Sequence, residues 1–119
     1  MKARLAILAA LPFLAAADRY ALPDLVPAAV VGSGTQVTVR VRNQGAGPAP
    51  AGFVRVLVGA PINLAKNVPE PALAPGQMNS VIIPIGKPLA GVSIMVRVDG
   101  TGIIAETNEN NNIGSATGT

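Results

Sequence analysis

The sequence contains no cysteine, no histidine and no tryptophan among its 119 residues. Without cysteine and histidine the chain can form no disulfide, no thiol nucleophile and no Ser-His-Asp triad, and it lacks the usual ligands of zinc. Its serines therefore have no imidazole to activate them. These absences exclude several classes of enzyme, and we expect a protein that is not an enzyme.

Aromatic residues (3%) and charged residues (13%) are also scarce, whereas hydrophobic residues make up 50% of the chain. The core must therefore be built from Val, Ile, Leu and Ala, of which Val and Ile favour β-strands. The 13 glycines and 11 prolines indicate many turns and little helix. A chain of this length is expected to form one domain.

The net charge of +3 is partly due to Lys2 and Arg4, which lie at the start of the chain. The remaining seven basic and six acidic residues leave a net charge of only +1. Nucleic-acid binding usually needs a basic stripe with stacking aromatic residues, and this sequence shows neither. We therefore expect no nucleic-acid partner.

Residues 1–17, MKARLAILAALPFLAAA, have the pattern of an export signal. Lys2 and Arg4 precede an apolar run, and the segment ends in small residues. The thirteen apolar residues from 5 to 17 are fewer than the ~20 that span a bilayer, so we expect no stable membrane span. The interpretation predicts a signal peptide and a single mature domain, residues 18–119, that is secreted, displayed at the cell surface or periplasmic. A helix retained as a membrane or filament anchor is the alternative.

The rest of the chain is typical of short antiparallel strands. In residues 35–43 and 92–99, every second side chain is apolar, which indicates strands with one buried face. Residues 53–59 predict a further strand, with Phe53, Arg55, Leu57 and Gly59 on one side and three valines on the other. Residues 74–77, APGQ, place Pro and Gly at the centre of a type II turn. About seven strands separated by turns predict an all-β antiparallel sandwich. Weaker strand signals lie at residues 25–31, 62–68, 81–85 and 111–116.

Three segments occur in an order that resembles a known family. They are TQVTVRVRNQGAGPAPAGFVRVLVG (residues 35–59), LAPGQ (residues 73–77) and VRVDGTGIIAETNENNN (residues 96–112). Together they resemble the CARDB family, the cell-adhesion-related domain found in bacteria. The resemblance implies an immunoglobulin-like antiparallel β-sandwich of about seven strands, usually in secreted or surface proteins. The chain departs from the family pattern at residues 80–88, which lack the usual aromatic residue.

The polar element AETNENNN, residues 105–112, has three interpretations. Asparagine side chains bond nearby backbone groups, so the element could be a polar clasp that closes one end of the sandwich. Calcium prefers oxygen ligands, which Asp99, Glu106, Asn108 and Glu109 could supply, although the spacing is not that of an EF-hand. Catalysis by Glu106 and Glu109 would need a substrate cleft. We favour the clasp, expect no cofactor, and leave calcium open as the alternative.

Two functions fit such a module. The first is a secreted or cell-surface, non-catalytic module for adhesion or for binding a protein, the extracellular matrix or a cell surface. Its predicted binding loops are residues 44–52 and 86–91, because rigid sandwiches often carry recognition in loops. The second is self-assembly as the structural subunit of an extracellular filament, in which residues 18–27 add as a strand to a neighbour's sheet edge.

Overall fold

A computed structural model describes residues 21–99, 106 and 110–119 of the chain. The predicted export signal, residues 1–17, lies outside these ranges. The described residues form seven β-strands, which confirms the predicted all-β fold class. Over the same ranges, no helix is long and apolar enough to cross a membrane.

The strands follow the predicted order, with small differences at their ends. The fifth strand begins at Met78 rather than at residue 81, because the turn before it is completed at Gln77, whose N–H donates to Ala74 C=O (3.0 Å). Gly76 takes the positive φ of 79° that the predicted type II turn requires. The strands are β1 (Leu25–Ser33), β2 (Gln36–Asn43), β3 (Gly52–Val58), β4 (Leu64–Glu70), β5 (Met78–Pro84), β6 (Ser93–Val98) and β7 (Ile113–Thr117).

The strands form two sheets that pack face to face. One sheet has the order β1-β2-β5 and the other the order β4-β3-β6-β7, and every neighbouring pair is antiparallel. The prolines within strands are Pro27 in β1, Pro69 in β4 and Pro84 in β5, and all three strands lie at sheet edges. Proline has no N–H to donate within a sheet, so its confinement to edge strands leaves the inner strands β2, β3 and β6 fully able to pair.

Valine dominates the core between the sheets. The pairing places Val39 beside Val81 in one sheet and Val56 beside Val96 in the other, and all four side chains are buried. Burying a side chain of this kind contributes roughly 1.5–3 kcal/mol relative to leaving it exposed. The alternation that predicted these inward faces is therefore confirmed.

Residues beyond β7 connect the two sheets. The Thr119 N–H donates to the carbonyl of Gly32 in β1 (2.9 Å), and the Gly118 N–H donates to the carbonyl of Val92 beside β6 (2.8 Å). Leu89 is buried nearby, and its N–H donates to Gly34 C=O (2.9 Å). We call this end of the sandwich the apolar end.

The opposite end, which we call the polar end, is where β2, β4 and β6 finish and where β1, β3, β5 and β7 begin. Every buried polar or charged residue in the described part of the chain lies there. They are Asp24, Asn43, Glu70, Asp99, Glu106 and Asn112.

Candidate functional site

Asn43, the last residue of β2, closes the polar end. Its side chain is fully buried, and its Oδ1 accepts the N–H groups of Asp24 and Gly45 (3.0 Å each). Its Nδ2 donates to the carbonyls of Gly47 (2.9 Å) and Leu73 (3.1 Å). Both donors and two acceptor positions of the amide are used, so one side chain joins three segments of the chain.

The loops that the sequence predicted for recognition lie far apart. Residues 44–52 connect β2 and β3 at the polar end, where Ala49 and Leu73 exchange backbone hydrogen bonds (2.8 and 3.0 Å). Residues 86–91 follow β5 at the apolar end, where Leu89 is buried. The two loops therefore cannot form one continuous binding surface.

The structure describes two of the four predicted calcium ligands. Asp99 and Glu106 are buried at the polar end, whereas Asn108 and Glu109 lie outside the described residues. Within the ranges that the structure covers, no three acidic, histidine or cysteine side chains lie close enough together to hold a metal ion. Calcium also accepts amide and backbone oxygens, and calcium at this position stays the untested alternative.

Only part of the Asn-rich element can be compared with the sequence interpretation. Asn110 is exposed at a turn, whereas Glu106 and Asn112 are buried. The backbone carbonyl of Asn112 accepts the N–H of Val98 (2.9 Å), which begins the pairing of β6 with β7. Asn43, which lies outside this element, makes four side-chain hydrogen bonds at the same end, and the clasp formed by residues 105–112 stays a prediction.

Glu70, the last residue of β4, is a buried acid that the sequence interpretation missed. Its side chain is 3% exposed, and neither carboxylate oxygen has a hydrogen-bond partner in the described part of the chain. Burial raises the pKa of Glu70 from 4.5 to about 7. The alternation of β4 could have indicated this burial. Leu64 and Val68 pack against the core, and Glu70 lies on the same side of the strand.

A second candidate site lies on the outer face of the four-stranded sheet. Arg55 of β3 is directly opposite Arg97 of β6, and in the next row Leu57 is opposite Met95. On the far side of β6, Arg97 is opposite Ile113 of β7. We call the surface formed by these side chains and by Phe53 the arginine face. It comprises Phe53, Arg55, Leu57, Met95, Arg97 and Ile113.

The arginine face exposes four large apolar side chains. Two shallow depressions share Leu57 and Met95; one extends towards the two arginines and the other towards Ser93 and Ser115. Contiguous apolar side chains on a surface are typical of interaction sites. The exposed fractions are 40% for Phe53, 38% for Leu57, 45% for Met95 and 59% for Ile113.

The two arginines have no acidic partner in the described part of the chain. Arg55 Nη1 donates one long hydrogen bond to Asn67 Oδ1 (3.3 Å), which is neutral. Like charges directly opposite in a sheet are destabilising. The pair therefore weakens the sheet slightly while keeping two positive charges available at the surface. The described carboxylates all lie buried at the polar end: Asp24, Glu70, Asp99 and Glu106.

The sequence predicted part of this site. The alternation of β3 placed Phe53, Arg55 and Leu57 on one side, as observed. The contact between Arg55 and Arg97 depends on the register of β3 against β6, which joins residues distant in the sequence. No local signal gives that register.

The two antiparallel sheets define an immunoglobulin-like β-sandwich. The model of the CARDB family matches residues 22–116, and the chain belongs to that family. The resemblance that the sequence motifs indicated is therefore confirmed.

Two solved structures share the fold. A CARDB domain from Pyrococcus furiosus, solved in complex with di-metal ions, is 25% identical, with a TM-score of 0.63 over 83% of this chain and 96% of that chain. A domain from Methanosarcina acetivorans, in a protein provisionally named a cell surface protein, is 24% identical, with a TM-score of 0.67 over 82% of this chain and 92% of that chain. Among curated proteins, none matches this chain.

Proposed function

We propose that this chain is a secreted or surface-displayed, non-catalytic binding module of the adhesion type, and that it binds through the arginine face. The observation that carries the proposal is the opposed pair of Arg55 and Arg97 among exposed apolar side chains. Such an arrangement weakens the sheet and leaves two positive charges beside exposed apolar side chains, which favours a role in recognition.

The arginine face suits binding better than the two loops. Residues 44–52 are held by the buried Asn43 and by the bridge between Ala49 and Leu73, so they already close the fold. The sheet face, in contrast, presents its side chains from paired strands, which fix their spacing, and Arg55 makes only one long hydrogen bond, to Asn67. A site on rigid strands can be complementary to a partner before binding.

An extracellular location is supported by two observations. Residues 1–17 have the pattern of an export signal. A structural relative from Methanosarcina acetivorans carries the provisional name of a cell surface protein. The absence of histidine and cysteine supports a role without catalysis, because the chain has no thiol nucleophile and no imidazole to activate its serines.

The filament alternative has less support. Of the segment at residues 18–27 that would be donated to a neighbour, Leu25 and Pro27 belong to β1 and pair with Asn43 and Val41 of the same chain. Asp24 is also buried, and its N–H is bonded to Asn43. Donation would therefore require β1 to leave its own sheet.

The test is binding of the full chain to matrix-coated surfaces and to cells, measured by surface plasmon resonance and by flow cytometry. We expect the double variant Arg55→Gln/Arg97→Gln to lose binding. The control Arg40→Gln/Arg42→Gln makes the same change in net charge on the outer face of the other sheet and should bind normally. Equal binding by both double variants and the unchanged chain would contradict the arginine face, and no binding by the unchanged chain would contradict the binding role.

A further inference from the structure

Building on the proposed function, we infer that the partner is a different protein that presents an extended segment with a carboxylate between apolar side chains. The inference starts from charge. Arg55 and Arg97 lie opposite each other on paired strands, where facing Cβ atoms are about 5 Å apart. One carboxylate placed over the pair would offset the repulsion and accept charge-assisted hydrogen bonds from both guanidinium groups.

The apolar part of the face indicates a protein rather than a polysaccharide. Protein interfaces are enriched in aromatic residues, Met and Arg, and are depleted in Lys, Glu and Asp. The arginine face has no Lys, Glu or Asp, and its apolar side chains include Phe53 and Met95. With Phe53 as its one aromatic residue, the face offers little surface on which sugar rings could stack.

The spacing of the rows indicates an extended segment. Along β3, Phe53, Arg55 and Leu57 share one side and alternate as apolar, cationic and apolar. Residues on one side of a strand repeat about every 7 Å, both in this sheet and in any extended partner. A partner segment with the pattern apolar-x-acidic-x-apolar, running along the strands, would therefore match the three rows in register.

The side-chain carboxylates in the described part of this chain do not suit this face. They are all buried at the polar end, so none of them can reach the arginines of another molecule without unfolding that end. This favours a different protein over a second copy as the source of the carboxylate.

The direct test uses a fluorescent synthetic peptide with the repeating pattern Leu-Thr-Glu-Thr, titrated with the full chain and followed by fluorescence anisotropy. Two competitors are compared: the same peptide with Gln in place of Glu, and a polyuronate oligosaccharide. We expect the dissociation constant of the acidic peptide to be lower than that of the Gln peptide by a factor of about ten or more. Each charge-assisted pair that is lost weakens binding by about this factor. Leu57→Ser should also weaken binding of the acidic peptide, because Leu57 and Met95 form an apolar row that contributes to the contact.

The two double variants separate specific from general attraction. Arg55→Gln/Arg97→Gln should lower the affinity for the acidic peptide about tenfold or more. Arg40→Gln/Arg42→Gln should change this affinity by less than about twofold. An equal loss of affinity in both double variants would overturn the inference, because the peptide would then be attracted by the net charge of the chain and not by the arginine face. If the polyuronate bound through Arg55 and Arg97 more tightly than the acidic peptide, the inference that the partner is a protein would be wrong.

The failure of this inference can be distinguished from failure of the proposed function. If the full chain binds cells through the arginine face but ignores the acidic peptide, the binding role survives and the partner chemistry is wrong. If the full chain binds neither cells, matrix nor peptide, both are wrong. Circular dichroism of each variant shows whether it remains folded. Arg97→Lys is a second variant that tests recognition in a folded chain, because it keeps the positive charge but loses the bidentate geometry of arginine.

Discussion

The polar end and the arginine face differ in the sign of their charges and in their access to solvent. At the polar end, the carboxylates of Asp24, Glu70, Asp99 and Glu106 are withdrawn from water. On the arginine face, Arg55 and Arg97 remain accessible beside exposed apolar side chains. Buried groups strongly influence folding because water no longer solvates them, whereas exposed ones contribute little to stability and are available to a partner. Substitutions should therefore affect stability at the polar end and binding on the arginine face.

The largest effect should come from Asn43→Ala. This substitution removes all four side-chain hydrogen bonds and leaves the buried N–H of Asp24 and the carbonyl of Leu73 without that partner. We expect a loss of about 4 kcal/mol in the free energy of unfolding, measured by urea denaturation. The matched control is Asn67→Ala, which removes one exposed bond to Arg55. A loss below about 1 kcal/mol in Asn43→Ala would show that the amide is not what closes this end.

The next largest effect is the dependence of stability on the ionisation of Glu70. Burial raises the pKa of Glu70 from 4.5 to about 7, so the folded protein binds more protons than the unfolded chain between these values. Stability contributed by this group should therefore fall as pH rises from 4.5 to 7. The fall should be on the order of 3 kcal/mol, since one pKa unit corresponds to about 1.4 kcal/mol.

The check is to compare Glu70→Gln with the unchanged chain across this range. Other carboxylates titrate in both proteins, so the difference between their unfolding free energies isolates Glu70. We expect the variant to gain relative stability from pH 4.5 to 7 and to show no further relative gain above it. Parallel stability curves for the two proteins would mean that Glu70 ionises normally in the folded state.

A smaller effect of opposite sign is expected on the arginine face. Arg97→Thr removes the like charge opposite Arg55, so it should increase stability by about 0.5 kcal/mol while weakening binding. Added salt should reduce this difference by screening the repulsion. Arg40→Thr is the control, because Arg40 lies opposite Ser80 rather than another cation. A clear loss of stability in Arg97→Thr, with none in the control, would indicate that Arg97 supports the fold.

The smallest effect should be that of calcium. Asn43 already closes the polar end with a neutral amide, so we expect the same melting temperature with millimolar calcium and with chelator. A metal bound only to the folded protein would add about 2.7 kcal/mol at a hundred times its dissociation constant. A higher melting temperature in calcium that disappears in Glu106→Gln would establish the calcium interpretation instead.

The sequence predicted the strands and the inward faces because both follow from local alternation. Val37, Val39 and Val41 alternate with polar residues, and this period alone identifies the buried side of β2. The site was harder to predict because its contacts are not local. Asn43 bonds to Leu73, thirty residues away, and the arginine pair depends on the register of two strands that are distant in the sequence. The family motifs indicated the end of β2 but not the partners of its last side chain.

The bridge at residues 118 and 119 has a consequence for how the molecule opens. Its two amides are bonded to different sheets, one to Gly32 and the other to Val92. Neither sheet can therefore separate from the other at the apolar end without exposing one of these amides to solvent. In hydrogen exchange, the amides of residues 118 and 119 should share the slow rate of the central strands, because the whole sandwich would open as one cooperative unit.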